Sequence, residues 1–391
     1  MIRAPENAPP MIRTDTSNAF AHNTLRVRVP EIVSRTLAVN PDYPPAVRDA
    51  LAALRDAMAN DAPIAMIDLP APDYDDWTAM YASHAGETWQ GTVWFFAENF
   101  AYRHIIQATH WWGTRRDPFA PIKREEMAGE PIRESIEQAL GVVGPEDERL
   151  YALIHQALWG NRIDLSYAAS TEHGMAVGSD DLLMDDTAAV VAHLLGSPPG
   201  TVHLVTDNVG RELAADVMLI DALLAMAAER VVLHLKMHPT FVSDATTEDM
   251  IDFLDGLQAG HYGPAARPVG SRLKTAIDRG RLHFAPDLYW NSSRVLWDMP
   301  PRLERLFRAA RLVILKGDAN YRRMVGDAVW PPETPFAEAV GYFPAPLLAL
   351  RTLKSDPIVG LPPGLAEELD TIDPDWRVNG RRGLIQSTAG S

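Results

Sequence analysis

Val202-His203-Leu204-Val205-Thr206-Asp207-Asn208-Val209-Gly210-Arg211-Glu212 is the stretch that decides the fold. A short apolar run breaks into a polar turn. A strongly helical segment, Arg211 to Glu229, follows, and then a second apolar run, Val231-Val232-Leu233-His234-Leu235. Strand, helix and strand in that order, with strands apolar on both faces, are the pattern of a buried parallel sheet. A third run, Leu312-Val313-Ile314-Leu315, extends the sheet, and Phe343 to Leu353 is expected to add a further strand.

Upstream of this stretch, Ser197-Pro198-Pro199-Gly200 punctuates the chain. Before it, apolar residues recur at helical spacing, as in Val47-Leu51-Leu54-Met58 and Trp94-Phe95-Ala101-Ile105-Ile106. The expected organisation is a flexible N-terminus over 1–20, a mainly helical domain over 21–196 and an α/β domain over 197–391. At 391 residues the chain exceeds one ordinary core. Its 47% hydrophobic and 23% charged residues place it among globular chains.

Composition also excludes functions. With 52 acidic against 36 basic residues the formal charge is -16, which repels a long polyanion, so no nucleic-acid partner is expected. A small phosphorylated metabolite needs only a few Lys and Arg in one cleft. The absence of cysteine removes disulfides, thiolate-bound zinc, iron–sulfur clusters and thiol nucleophiles. Met1 to Asn23 lacks the apolar core of a signal peptide, and no run approaches the ~20 apolar residues of a membrane span. No membrane association and a cytoplasmic location are expected; the oligomeric state is not legible.

In open parallel sheets ligands bind beyond the carboxyl ends of the strands. The residues there are Thr206-Asp207-Asn208-Val209-Gly210-Arg211-Glu212, Lys236, Lys316-Gly317-Asp318-Ala319-Asn320-Tyr321-Arg322 and Arg351-Thr352-Leu353-Lys354. Asp207 and Asn208 offer adjacent oxygen ligands for a hard divalent ion; equally, either could cap the following helix while Gly210 eases the turn. Glu212, about one turn on, could reach the same place, yet an acid in a first helical turn is commonplace. Asp244 lies in a loop expected to return over the sheet edge, and it too suits a turn or cap. Thr246 and Asp249 have the spacing of a capping box. Lys316, Arg322 and Lys354 are the candidate phosphate-binding cations. His203, His234 and His283 lie inside apolar runs and are expected to be core residues with satisfied hydrogen bonds. Walker, Gly-x-Gly-x-x-Gly, Gly-x-Ser-x-Gly and His-Glu-x-x-His motifs are absent, and no nucleotide cofactor is expected.

In order along the chain, Thr206-Asp207-Asn208-x-Gly210-x-Glu212, Phe241-Val242-Ser243-Asp244, Lys316-Gly317-Asp318-x-Asn320-Tyr321-Arg322 and Arg351-Thr352-x-Lys354 resemble the damage-control phosphatases, in the branch named for acidic-residue methyltransferase-like proteins. Trp94 to Arg103, with Glu98, Asn99, Tyr102 and Arg103, resembles that family's helical segment, and Leu158 to Ser166 its Trp-Gly-Asn loop. Ala319 and Asn99 depart from the usual residues. The resemblance implies a helical N-terminal region joined to a three-layer, Rossmann-like α/β/α domain with a mostly parallel sheet. It implies a divalent metal ion (Mn, Mg, Co or Ni) held by Asp207, Asn208 and Asp244, which are thereby the catalytic set. It further implies substrate contacts from Glu98, Arg103, Glu212, Lys316, Asp318, Asn320, Tyr321, Arg322, Arg351 and Lys354. The expected activity is hydrolysis of small phosphorylated metabolites, such as fructose 1-phosphate or fructose 6-phosphate, by direct attack of water. The competing readings are a protein carboxyl methyltransferase using S-adenosylmethionine, and a non-catalytic sugar-phosphate-binding protein.

Overall fold

The structure, a computed structural model, describes residues 2–128, 130–160 and 181–389. The stretch from Val202 folds as expected: β2 (Gly200–Val205), the helix Arg211–Met226 and β3 (Ala228–His234) form a parallel strand-helix-strand unit. Around it β1 (Leu182–Asp185), β4 (Leu282–Phe284), β5 (Leu312–Lys316), β6 (Leu347–Thr352) and β7 (Gly383–Ser387) complete one sheet in the order β1-β7-β6-β5-β2-β3-β4. β2 to β6 run parallel, while β7 is antiparallel to β6 and carries β1 parallel to itself.

Side chains alternate along each central strand. On one face Leu204, Ile314 and Leu348 meet the helices Arg211–Met226 and Glu146–Trp159; on the other Val205, Val313 and Leu347 meet Phe307, Met324 and Trp376. Helices therefore cover both faces, which gives the mixed α/β, layered architecture expected. Burying each of these aliphatic side chains contributes roughly 1.5–3 kcal/mol, which is why the strands show no polar face.

The region from Ile12 to Phe119 has its own core. The buried helix Trp94–Ala108 stacks Phe96 and Phe100 on Trp77, and Leu25, Val29 and Leu51 complete the cluster. This core reaches the sheet edge, because Phe241 and Val242 pack against it. Near the N-terminus Ile12 N–H donates to the Asp327 carbonyl and Thr14 N–H to that of Thr92.

Strand order reverses between β2 and β5: from β2 the chain steps outward to β3 and β4, from β5 to β6. The ends of β2 and β5 thus flank a topological switch point, where an open sheet leaves a crevice. Asn320 ties these ends together, its side-chain amide donating to the carbonyls of Thr206 (3.1 Å) and Lys316 (2.8 Å). Asp207 and Gly317 therefore face each other across the crevice.

Candidate active site

After Val205 the chain leaves the sheet and pairs with the returning loop. Val209 N–H donates to the Ser243 carbonyl and Ala245 N–H to the Asp207 carbonyl, both at 2.8 Å, so Asn208 and Asp244 stand opposite each other as an isolated antiparallel bridge. The loop turns back through Phe241 (φ 47°) and Val242 (φ 70°). Left-handed backbone is unfavourable for a β-branched residue and costs on the order of 1–3 kcal/mol at each position. Packing of both side chains, each partly buried, against the helical core and the hydrogen bonds that follow hold it in place. The helix-cap alternative for Asp207 and Asn208 fails on geometry, since Gly210 (φ 75°) is the N-cap of Arg211–Met226 and no side chain caps it. Thr246 and Asp249 do form the capping box expected of them.

Asp207 and Asp244 are nearly inaccessible. Burial, with Glu212 and Asp244 beside it, pushes Asp207 well above the usual carboxylate range. Burial likewise raises Asp244, opposed by the Lys236 ammonium 3.2 Å from Oδ2. The side-chain amide of Asn208 donates to Asp207 Oδ2 and Glu212 Oε1, both at 3.1 Å, while its Oδ1 accepts from Ser243. Gly317 makes this packing possible. At φ 86° it lies so close to Asp207 that a Cβ there would meet Oδ2 at 2.0 Å.

A cleft of about 490 Å³ opens above this floor. Asp318, Arg322 and Lys354 line it from the sheet side; Phe20, Arg28, Trp94, Glu98 and Tyr102 line it from the helical region. Arg322 is pinned by Glu98 (2.5 Å) and Asp327 (2.7 and 3.2 Å) and lies 3.5 Å over the Trp94 ring. Among the described residues, two of the five N–H donors of its guanidinium are uncommitted. Asp318 accepts from Arg351 (2.8 Å) and from the Lys354 backbone N–H (3.2 Å), which fixes Lys354 at the rim. Among the described residues the Lys354 ammonium has no ion-pair partner. Burial and the nearby Glu98 hold the Tyr102 phenol protonated far into alkali, so its hydroxyl is a donor in the wall.

The structure does not bring every expected residue to the cleft. Lys316 turns away, its ammonium 2.7 Å from Asp216 and bonded to the Ala157 carbonyl. Arg103 grips Asp73 with two hydrogen bonds of 2.6 and 2.9 Å in the helical region. Tyr321 bonds Gln386 at 2.9 Å, Asn320 joins the strand ends, and Arg351 supports Asp318 from a fully buried position. Glu212 reaches the floor through Asn208, whose amide donates to its Oε1 at 3.1 Å. In the Trp-Gly-Asn segment, Asn161 to Ser166 lie outside the described residues. Gly160 can be placed, however: a Cβ there would meet the Glu212 Cα at 2.8 Å, so only glycine lets this chain cross the start of the helix.

A model of the damage-control phosphatase ARMT1-like domain matches residues 24–369. The chain belongs to the damage-control phosphatase family. Relatives named damage-control phosphatase ARMT1 from Xenopus tropicalis and Danio rerio are 29% and 28% identical, over 94% and 97% of this chain and 96% of each relative. A solved DUF89 family protein from Pyrococcus horikoshii aligns at 15% identity, with a TM-score of 0.49, over 94% of this chain and 95% of that one. Membership in the damage-control phosphatases makes phosphate-ester hydrolysis of small metabolites the chain's class of activity.

For a metal ion, the donor set is carboxylate and amide oxygen, the chemistry that hard divalent ions prefer. Among the described residues no three His, Asp or Glu side chains converge tightly enough to hold an ion by themselves. The fit rests on two carboxylates and an amide. Asp244 Oδ2 faces the Lys236 ammonium at 3.2 Å, and the positive end of the Asn208 amide sits between Asp207 and Glu212. Crowded carboxylates beside an amide oxygen suit a cation.

Sequence reasoning missed several lining residues. Phe20 ends the segment expected to be a flexible N-terminus, Arg28 lies in the expected helical domain with no motif to mark it, and Phe241 and Ser243 were noted only as companions of Asp244. Lys236 stands at a strand end, which was the available signal, but its contact with Asp244 depends on the returning loop.

Proposed function

We propose that this chain is a metal-dependent phosphomonoesterase of small sugar phosphates, with fructose 1-phosphate and fructose 6-phosphate the first substrates to test. The observation that supports it is the crossing of the β2 end with the 241–245 loop, which sets Asp207, Asn208 and Asp244 together beneath a cleft whose cation at Lys354 has no acidic partner among the described residues. Asp207, Asn208 and Asp244 are the residues to hold the ion. When bound, it supplies charge to the phosphoryl oxygens and lowers the pKa of water.

The chain's own residues account for the remainder. Lys354 and the two uncommitted donors of Arg322 meet the phosphoryl oxygens as negative charge grows on them. Glu98, Asp318 and the Tyr102 hydroxyl offer acceptors and a donor to sugar hydroxyls, and Trp94 and Phe20, edge to face at 5.7 Å, supply an apolar wall. Hydrolysis forms one P–O bond from water and breaks the bond to the sugar oxygen.

Phosphate release from the two fructose phosphates, with and without EDTA, tests this against Asp207→Ala. The expected loss is roughly 10²–10³-fold, as for removal of a principal electrostatic group. Activity that survives both the chelator and the substitution sinks the metal assignment.

A further inference from the structure

The other basic side chains at this end of the sheet are committed: Lys236 to Asp244, Arg211 to Glu134, Lys316 to Asp216, Arg322 to Glu98 and Asp327, Arg351 to Asp318. Among the described residues, two cations lining the cleft have no acidic partner, and they come from opposite sides. Lys354 belongs to the sheet edge, and its charge acts on Asp207 at the floor. Arg28 belongs to the helical region, and its charge acts on the Tyr102 phenol in the wall.

The backbone that presents Arg28 is itself unusual. Residues 19–39 form one continuous helical path, but Thr24–Arg28 is a π turn closed by Val29 N–H to the Thr24 carbonyl. π turns shift side-chain register and are found often at functional sites. Here Leu25 and Val29 are fully buried in the helical core while Arg28 stays exposed and lines the cleft, with Phe20 from the preceding turn beside the same opening. A phosphoryl group at the floor fills only part of 490 Å³, a volume large enough for a whole small metabolite.

We propose that Arg28 receives a second anionic group of the substrate, a carboxylate or phosphate at the end remote from the phosphoryl group that is cleaved. The preferred substrates are then sugar phosphates with two anionic groups. This rests on the phosphatase reading above and adds the class of substrate. Glu125 and Glu126 line the same opening, and Arg211 there is already paired. Arg28 thus decides whether the rim attracts or repels an anion. An exposed guanidinium also reaches such a group at little cost in desolvation.

The test is a ratio of kcat/KM values: fructose 1,6-bisphosphate over fructose 1-phosphate, and 6-phosphogluconate over glucose 6-phosphate, in wild type, Arg28→Gln and Arg28→Lys. Wild type is expected to favour the doubly anionic member by about tenfold, and Arg28→Gln to lower that ratio at least fivefold, with partial recovery in Arg28→Lys. The ratio should also fall as salt rises. A wild-type ratio at or below one, or a ratio unchanged in Arg28→Gln, overturns the proposal. If no variant releases phosphate, the phosphatase reading fails on its own, and calorimetric titration with the same four compounds still decides whether Arg28 selects the second anion.

Discussion

Lys316 and Lys354 stand in similar places, Lys316 as the last residue of β5 and Lys354 two residues past β6, and the sequence gives no reason to treat them differently. Their surroundings are opposite. Lys316 is 2% exposed and paired with Asp216 on the helix behind it, whereas Lys354 stands half-buried at the rim with no acidic partner among the described residues. Burial works against the Lys316 charge, but Asp216 and Glu212 raise its pKa and keep it ionised. What separates a structural cation from a ligand-binding one is the residue one layer back, and Asp216 lies inside an otherwise apolar helix face where sequence periodicity reads only core.

The largest effect that sharpens this contrast is on stability. Lys316→Met leaves the Asp216 carboxylate buried without its counter-charge, and the expected cost is about 3–5 kcal/mol, read from urea unfolding. Adding Asp216→Leu should recover most of it, because a well-packed apolar pair replaces a buried ion pair at little net cost. A Lys316→Met protein as stable as wild type would show that the pair does not support the fold.

The converse holds for Lys354. Lys354→Met should leave the unfolding midpoint within about 0.5 kcal/mol of wild type, as for a surface substitution, yet lower kcat/KM for a sugar phosphate roughly 10²-fold. Loss of stability with no change in kcat/KM would reverse the roles of the two lysines.

The same contrast explains how much the sequence conveyed. β2, β3, β5 and β6 were legible because their apolar runs are buried on both faces. β1, β4 and β7 were not, being three to five residues long and dependent on neighbours already in place. Asp207, Asn208 and Asp244 could be named because they follow strand ends or share a motif, and the chain crossing then brings them together. Arg103, Tyr321 and Asn320 belong to the same motifs, but their side chains meet Asp73, Gln386 and the carbonyls of the strand ends, partners that only the tertiary structure supplies. His283 was expected in the core and is instead exposed at a short edge strand, bonded to the Gly280 carbonyl.

A third kind of locked group carries the smallest effect: the buried pair His203 on β2 and His234 on β3, with no acid beside it among the described residues. His203 Nδ1 lies 2.9 Å from His234 Nε2, and Phe307 packs on both rings. Burial lowers His203 to about 4, and burial with His203 beside it lowers His234 to about 3. An unfolded chain protonates these rings near 6.5, so between that value and the folded ones it binds more protons than the native state. Their contribution is therefore complete above about pH 6.5 and is lost as pH falls toward 4, by about 0.7 kcal/mol for each histidine between pH 7 and 6. The raised acids Asp207 and Asp216 act with the opposite sign over part of this range, since the folded state holds their protons more tightly. The histidine share must be read as a difference, from urea midpoints at pH 7 and 6 in wild type and in His203→Leu/His234→Leu. The double variant should lose less stability than wild type over that interval, by about 1.4 kcal/mol in all. An equal drop in both proteins would mean that the pair is not neutral in the native state, and that burial without an acid does not silence a basic group here as pairing with Asp216 fixes Lys316.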